Sequence, residues 1–150
     1  MPVSPSAARA KSAPTVRLTG IGCALFLLLL PPALAAQIVP PAEFEALSAG
    51  KTLTFERNGV FYGAEQYGTR RDSLWQYSDT QCVEGIWFPA GDQLCFLYDG
   101  QTQAQCWLFE RRGNDLFARL GGTPPEDTSE IRLSEISEEP LACPAPDLGV

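Results

Sequence analysis

The chain has 150 residues, 11 of them basic, 18 acidic and none histidine, and this length fits a single domain. Its formal net charge of −7 disfavours nucleic acid as a partner, because binding to phosphates depends on Lys and Arg. The absence of histidine excludes Ser-His-Asp and Cys-His catalysis and removes the commonest general base at neutral pH.

The first 35 residues have the layout of a cleavable secretory signal peptide. A basic stretch, an apolar run and small residues follow one another: Arg9, Lys11 and Arg17, then Ile21–Leu30, then Ala33-Leu34-Ala35. We expect cleavage after Ala35, with Ala36 as the alternative. A membrane-anchoring helix is the competing interpretation, but the apolar run is about half of the roughly 20 residues that a span requires.

Removal of this segment changes the charge and the cysteine count. Cys23 lies at the start of the apolar run rather than after it, which argues against a lipoprotein signal. Residues 36–150 keep 8 basic and 18 acidic residues and so carry a net charge of −10. We therefore expect a periplasmic or secreted, acidic domain that has no transmembrane segment and binds no nucleic acid.

The mature chain is expected to begin with a short helix and to continue as strands. Pro40-Pro41, placed before an Ala- and Glu-rich stretch, predicts a helix at about 41–49, which Gly50 ends. Short β-type runs separated by turn residues such as Asn58-Gly59 then predict a meander. The predicted strands span about 51–57, 60–68, 73–78, 82–88, 93–98, 105–111 and 115–120.

An acidic carboxyl-terminal tail at about 121–150 is expected to follow the meander. Its segment Ile131–Ile136 alternates between apolar and polar residues, so we expect it to add an edge strand.

Because the connections between strands are short, neighbouring strands are expected to be antiparallel. The predicted fold class is therefore mainly β, with one short amino-terminal helix.

The turns define a trial register for the central strands. A turn centred on Gly100-Gln101 places Cys95 opposite Cys106. A turn centred on Ala90-Gly91 places Trp87 opposite Leu94. Alternation then gives two apolar faces: Val83, Trp87, Leu94, Phe96, Tyr98, Trp107 and Phe109 on one, and Cys82, Ile86, Phe88, Cys95, Leu97, Cys106 and Leu108 on the other. Such a sheet must curl into a barrel or be covered by the helix and the carboxyl-terminal segment.

Four cysteines remain after removal of the signal segment: Cys82, Cys95, Cys106 and Cys143. An even number of cysteines in an exported protein predicts disulfides. Of the three possible pairings, the trial register favours Cys95 with Cys106 and Cys82 with Cys143. The cysteine spacings match no zinc pattern, and we expect neither a metal nor a cofactor.

A set of aromatic and cysteine motifs resembles a group of small, uncharacterised exported proteins of alphaproteobacteria. The motifs are Tyr62-Gly63, Trp75, Cys82-Val83-Glu84-Gly85-Ile86-Trp87, Cys95-Phe96-Leu97-Tyr98 and Cys106-Trp107. The resemblance spans roughly residues 42–120 and implies export, disulfides and a β-meander. It implies no activity and no functional residue.

Three sets of side chains are candidates for chemistry. The aromatic residues Trp75, Tyr77, Trp87 and Trp107 could bind a sugar or an apolar ligand, although aromatic residues at alternating strand positions usually form core. The carboxylate pairs Glu56 with Glu65 and Glu84 with Glu110 could act in glycoside hydrolysis, but we interpret them as exposed charges. Arg70-Arg71 and Arg111-Arg112 could pair with the acidic tail or contact an anionic partner, but we interpret them as solvated strand ends.

These observations favour a non-enzymatic binding module whose partner is a periplasmic or envelope protein. The alternatives are a lipocalin-like carrier of a small apolar ligand and an inhibitor of a secreted hydrolase. An enzyme that uses carboxylates alone is the least favoured hypothesis.

Overall fold

The computed structural model describes residue 1 and residues 36–78, 81–125 and 127–143. The predicted signal peptide apart from Met1, two residues between the strands predicted at 73–78 and 82–88, and Glu126 with the last seven residues of the predicted tail lie outside these ranges. The helix and strands described below all belong to one unit, residues 33–150. Within the described ranges, no helix is long and apolar enough to cross a membrane.

Eight antiparallel strands form a closed barrel in which each strand pairs with the next one along the chain. The elements are β1 Gln37–Ile38, α1 Pro41–Ser48, β2 Thr52–Arg57, β3 Val60–Tyr67, β4 Asp72–Ser78, β5 Gln81–Ala90, β6 Gln93–Tyr98, β7 Gln105–Arg112, β8 Asp115–Leu120 and β9 Ile131–Ser137. Pairing of β9 with β2 closes the barrel, and β1 lies outside the eight-strand ring, against β7. The structure confirms the predicted meander that curls into a small barrel with one short helix.

Two elements differ from the sequence expectation. The segment Ile131–Ile136 was expected as an edge strand, but it lies in β9, which pairs with β2 on one side and with β8 on the other. It is therefore the strand that closes the barrel. The two-residue strand β1 was not expected, because Gln37 and Ile38 are too few to give an alternating pattern.

The predicted register is right at one hairpin and wrong at the next. Cys95 lies opposite Cys106, as expected. Trp87 lies opposite Phe96 rather than Leu94, because the turn is formed by Gly91-Asp92, with Gly91 at a positive φ of 63°. The register is shifted by two residues, and since side chains alternate with a period of two, every side chain keeps its predicted face.

Closure gives the two apolar faces different surroundings. The face that was predicted to carry Trp87, Leu94, Phe96, Tyr98, Trp107 and Phe109 forms the buried interior. An eight-stranded barrel is just wide enough for its own side chains to fill it. The other face is the outer wall, where Ile86 and Phe88 are exposed.

Helix α1 plugs one end of the barrel with a single aromatic side chain. Phe44 is fully buried, and the centroid of its ring lies 5.3 Å from that of Tyr67, 5.6 Å from Trp87 and 4.6 Å from Phe109. Pro41 opens the helix, where the missing N–H has no intrahelical partner to lose. This end of the barrel is therefore closed by packed rings.

Ion pairs hold the helix and the β8–β9 connection against the wall. Arg71 pairs with Glu45 and Arg111 with Glu43, both on α1. Arg112 pairs with Glu110 on its own strand and with Glu130 in the connection that precedes β9. The expectation that the arginines are simply solvated is therefore wrong for Arg71, Arg111 and Arg112, because each of them has a carboxylate within bonding distance. Arg70 is exposed, as expected.

The chain after β9 runs across the outer wall and ends its described part at a disulfide. Thr52 Oγ1 donates to the Glu139 carbonyl at 2.7 Å, and the Leu141 N–H donates to Gln66 Oε1 at 2.9 Å. Cys143 then bonds to Cys82 at the start of β5. A second disulfide joins Cys95 and Cys106. Both predicted pairings are confirmed.

We predict that loss of the Cys82–Cys143 bridge costs more stability than loss of the Cys95–Cys106 bridge. The bridges join residues 61 and 11 positions apart. Chain entropy then gives about 4 kcal/mol for the longer loop and about 3 kcal/mol for the shorter one. Denaturant unfolding of C82A/C143A and C95A/C106A measures both values. Equal losses, or a larger loss for C95A/C106A, would contradict the anchoring of the tail.

Candidate functional site

The end of the barrel opposite α1, called the open end below, contains a small pocket. Strands β2, β4, β6 and β8 end there, and β3, β5, β7 and β9 begin there. The pocket has a volume of about 50 Å³ and leads into the interior. Its lining consists of Phe55, Tyr62, Glu65, Tyr67, Trp75, Tyr77, Phe96, Tyr98, Gln105, Trp107, Phe109 and Ile131.

Trp75 is the centre of the aromatic wall of this pocket. The centroid of its ring lies 5.8 Å from Tyr62, 5.8 Å from Tyr77 and 6.5 Å from Tyr98. Trp75 itself is buried, whereas Tyr77 is 51% exposed at the mouth. The wall thus runs from a solvent-accessible ring to rings inside the barrel.

Two glycines make room for these rings. A Cβ at Gly63 would overlap the Trp75 ring, and a Cβ at Gly85 would lie 2.6 Å from a ring carbon of Tyr98. Each glycine lies on a strand next to the one that carries the ring. The absence of a side chain at these positions therefore sets how closely Trp75 and Tyr98 lie against the barrel wall.

Glu65 carries a carboxyl group into the interior beside these rings. It is 3% exposed and lies directly opposite Trp75 in the register of β3 and β4. The Tyr67 hydroxyl donates to Glu65 Oε2 at 2.7 Å, and the Tyr98 hydroxyl donates to Oε1 at 2.9 Å. Both carboxyl oxygens therefore have a hydrogen-bond donor even though the group is buried.

Burial raises the pKa of Glu65 from its ordinary value of 4.5 to about 7, because the apolar interior disfavours the charged form. Hydrogen bonds from neighbouring hydroxyls, that of Tyr67 first, act in the opposite direction. Burial and the adjacent carboxyl group raise the pKa of Tyr67 and of Tyr98, so that both phenols stay protonated. The carboxyl group thus changes its charge near neutral pH.

The interpretation of the four acids as exposed charges is wrong for two of them. Glu65 is inside the barrel, and Glu110 is buried on the outer wall between Arg119 and Arg112, whose bonds to it lower the pKa of its carboxyl group. Glu84 is exposed, and Glu56 pairs with Arg132 at 2.6 Å. Glu56 and Glu65 therefore have different partners and do not act on a shared proton.

The sequence contains a signal for the position of Glu65. In β3, Glu65 and Tyr67 are two residues apart and so face the same side of the sheet. Aromatic residues at alternating strand positions usually form core, which assigns Tyr67 to the interior. The same assignment applied to its neighbour on that face would have predicted a buried carboxyl group.

Three of the four predicted binding aromatics meet at the pocket. Trp75, Tyr77 and Trp107 line it. Trp87 lies at the other end of the barrel, where it packs on Phe44 and under the Arg71 guanidinium. Only Tyr77 of these four is exposed, so the aromatic set is mainly core, as the alternation suggested.

The rim of the open end carries exposed apolar side chains and one arginine. Val60 and Phe61, beside the Asn58-Gly59 turn, are 68% and 53% exposed. Arg57 lies over Tyr62, with its Cζ 4.2 Å from the ring centroid, and donates from Nη2 to the Ser129 carbonyl at 3.0 Å. Hydrophobic side chains therefore stand at the same end as the mouth of the pocket.

The other concave areas lie on the outer wall and are open grooves. One runs beside β5 and β6 and contains Asp72, Glu84 and Asp99, and it encloses no buried acid. Among the residues that the structure describes, no group of three or more Cys, Asp and Glu is arranged to hold a metal ion. The pocket at the open end is the one that combines a buried polar group with aromatic walls, and we take it as the candidate site.

We predict that Glu65 makes the stability of the fold depend on pH. The folded chain binds more protons than the unfolded chain between pH 4.5 and about 7, so the free energy of unfolding falls as the pH rises through this range. The contribution is on the order of 3 kcal/mol. Urea unfolding of the wild type and of Glu65→Gln, which keeps the shape but cannot titrate, measures it as their difference.

The exposed Glu84 supplies the matched control. Glu84→Gln should follow the pH profile of the wild type, whereas the free energy of unfolding of the wild type should fall relative to that of Glu65→Gln between pH 4.5 and about 7. If the free energies of unfolding of the wild type and Glu65→Gln changed with pH in parallel, the predicted titration of the buried Glu65 carboxyl group would be contradicted.

No protein-family model, no curated protein and no solved structure matches the chain. What the pocket binds is therefore argued from its own residues. These are a buried carboxyl group with a raised pKa, aromatic walls and a rim with exposed apolar side chains at the unplugged end of a closed barrel.

Proposed function

We propose that this protein is an exported, non-enzymatic binding module that holds a partner protein of the periplasm or envelope at its open end. The two disulfides support an oxidising compartment, because such bonds are rare where thiols are kept reduced. An inhibitor of a secreted hydrolase would be one example of such a module.

The observation that carries the proposal is the contrast between the two ends of the barrel. Phe44 and its ring contacts fill one end. At the other end Val60, Phe61 and Tyr77 are more than half exposed beside a pocket. Exposed apolar side chains gathered around a pocket are typical of protein interaction sites, whose centres are enriched in aromatic residues.

The interior disfavours the alternative of a lipocalin-like carrier. Small-molecule sites enclose about 300–1,000 Å³. The pocket here has about 50 Å³, because Trp75, Phe96 and Trp107 fill the barrel. A carrier would have to expel several of these rings in order to admit its ligand.

We predict that photo-cross-linking locates the partner at the open end. Phe61→p-benzoylphenylalanine and Tyr77→p-benzoylphenylalanine place the reactive group on the rim. Phe88→p-benzoylphenylalanine, on the outer wall and 39% exposed, is the matched control. Irradiation in the envelope of the native host should give a defined adduct from positions 61 and 77 and none from position 88.

Two outcomes would contradict the proposal. An adduct from position 88 alone would move the interface to the outer wall of β5. Absence of adducts from all three positions, in variants that fold with both disulfides formed, would count against a stable protein partner.

A further inference from the structure

We infer that the pocket at the open end receives the cationic tip of an arginine or lysine side chain presented by the partner protein. This inference rests on the proposed function and adds the chemistry of its anchor. Three features of the pocket carry it, namely the small volume, the aromatic walls and the carboxyl group inside.

The volume fits one side-chain tip. A buried water molecule needs about 10–15 Å³ by the same measure, so a pocket of about 50 Å³ holds roughly three to five water-sized groups. A guanidinium group, or an ammonium group with its last methylenes, is of this size. A hexose with its hydroxyl groups is too large, which argues against the sugar ligand considered for the aromatic set.

The walls favour a cation. Aromatic faces attract ammonium and guanidinium groups through the charge distribution of the ring, most strongly for Trp. The chain itself provides an example at the rim, where the Arg57 guanidinium lies over Tyr62. Of the described residues that line the pocket, Glu65 carries a carboxyl group and none carries a basic group.

The carboxyl group can accept a further donor. Tyr67 and Tyr98 each occupy one site on a different oxygen of Glu65. The hydroxyl of Ser73 lies close enough to lower the pKa of the group, but it makes no hydrogen bond in this structure. A carboxylate has about four acceptor sites, so both oxygens can still bind an entering N–H. A planar guanidinium binds carboxylates through two parallel hydrogen bonds. The cation would also neutralise a charge that is costly to bury alone.

The Glu65 carboxyl group is the group of the pocket whose charge changes near neutral pH. Tyr67 on its own strand and Tyr98 on β6 stay neutral, because burial raises the pKa of both phenols. Tyr62 and Tyr77 line the same pocket. The Arg57 guanidinium lies over the Tyr62 ring and donates to the Ser129 carbonyl.

The charge of the whole chain acts in the same direction. Residues 36–150 carry a net charge of −10. Arg71, Arg111, Arg112, Arg119 and Arg132 are already paired with carboxylates. A basic segment of a partner is therefore attracted to this protein before it reaches the pocket.

Small probes test the inference on the full protein with both disulfides formed. The probes are Nα-acetyl-arginine amide and Nα-acetyl-lysine amide, with Nα-acetyl-citrulline amide as the neutral analogue of arginine. NMR shifts and tryptophan fluorescence report binding, since Trp75 and Trp107 line the pocket. We expect at least one cationic probe to bind roughly tenfold to a hundredfold more tightly than citrulline, as a charged hydrogen bond requires.

The pH dependence gives a second readout that needs no variant. The ionised fraction of a carboxyl group with a pKa of about 7 falls about tenfold between pH 8 and pH 6, so affinity for the cationic probe should fall about tenfold as well. Glu65→Gln should remove the preference over citrulline, and the matched variant Glu84→Gln should keep it.

Several results would overturn the inference. These are equal binding of the arginine, lysine and citrulline probes, no binding of either cationic probe, tighter binding at pH 6 than at pH 8, or an unchanged preference in folded Glu65→Gln. If the rim positions still cross-link but the cationic probes are not preferred, the protein binds a partner at its open end, but the pocket does not receive a cationic side chain. If the cationic probes are preferred but the rim positions do not cross-link, the pocket binds a free cation, and the proposed binding of a partner protein is wrong.

Discussion

Pairing of β9 with β2 closes the barrel, and the rest of the structure depends on that closure. An open sheet of the same strands would expose one of its two apolar faces. Closure turns one face inward and leaves the interior just wide enough for its own side chains. It also encloses Glu65, because β3 places this residue on the same face as Tyr67. The raised pKa of the carboxyl group is thus a property of the closed barrel rather than of β3 alone.

The two ends of the barrel differ, because α1 closes one end and the other end contains the pocket. Phe44 of α1 fills one end, where ion pairs to Arg71 and Arg111 hold the helix in place. The described part of the carboxyl-terminal segment lies on the outer wall and ends at Cys143, which is bonded to Cys82. At the open end Tyr77 is exposed beside the pocket, and the aromatic walls belong to strands that hydrogen bonds hold in place.

Much of the architecture was predictable, because turn residues mark where strands end and alternation marks which side they bury. The face assignment survived the shift at Gly91-Asp92, since a shift of two residues does not exchange faces. The role of β9 was not predictable, because closure depends on the curvature of the whole sheet. For the site, alternation could have placed Glu65 inside, but its contact with Tyr98, 33 residues away, follows from the barrel and not from local sequence.

The most direct test of this account is an NMR titration of the Glu65 side-chain carboxyl carbon, with and without methylguanidinium. The account predicts a midpoint near 7 in the free protein and a lower midpoint when the cation is bound, because the cation stabilises the ionised carboxylate. A midpoint near the ordinary value of 4.5 that does not move with methylguanidinium would contradict both the burial of this group and its role in binding.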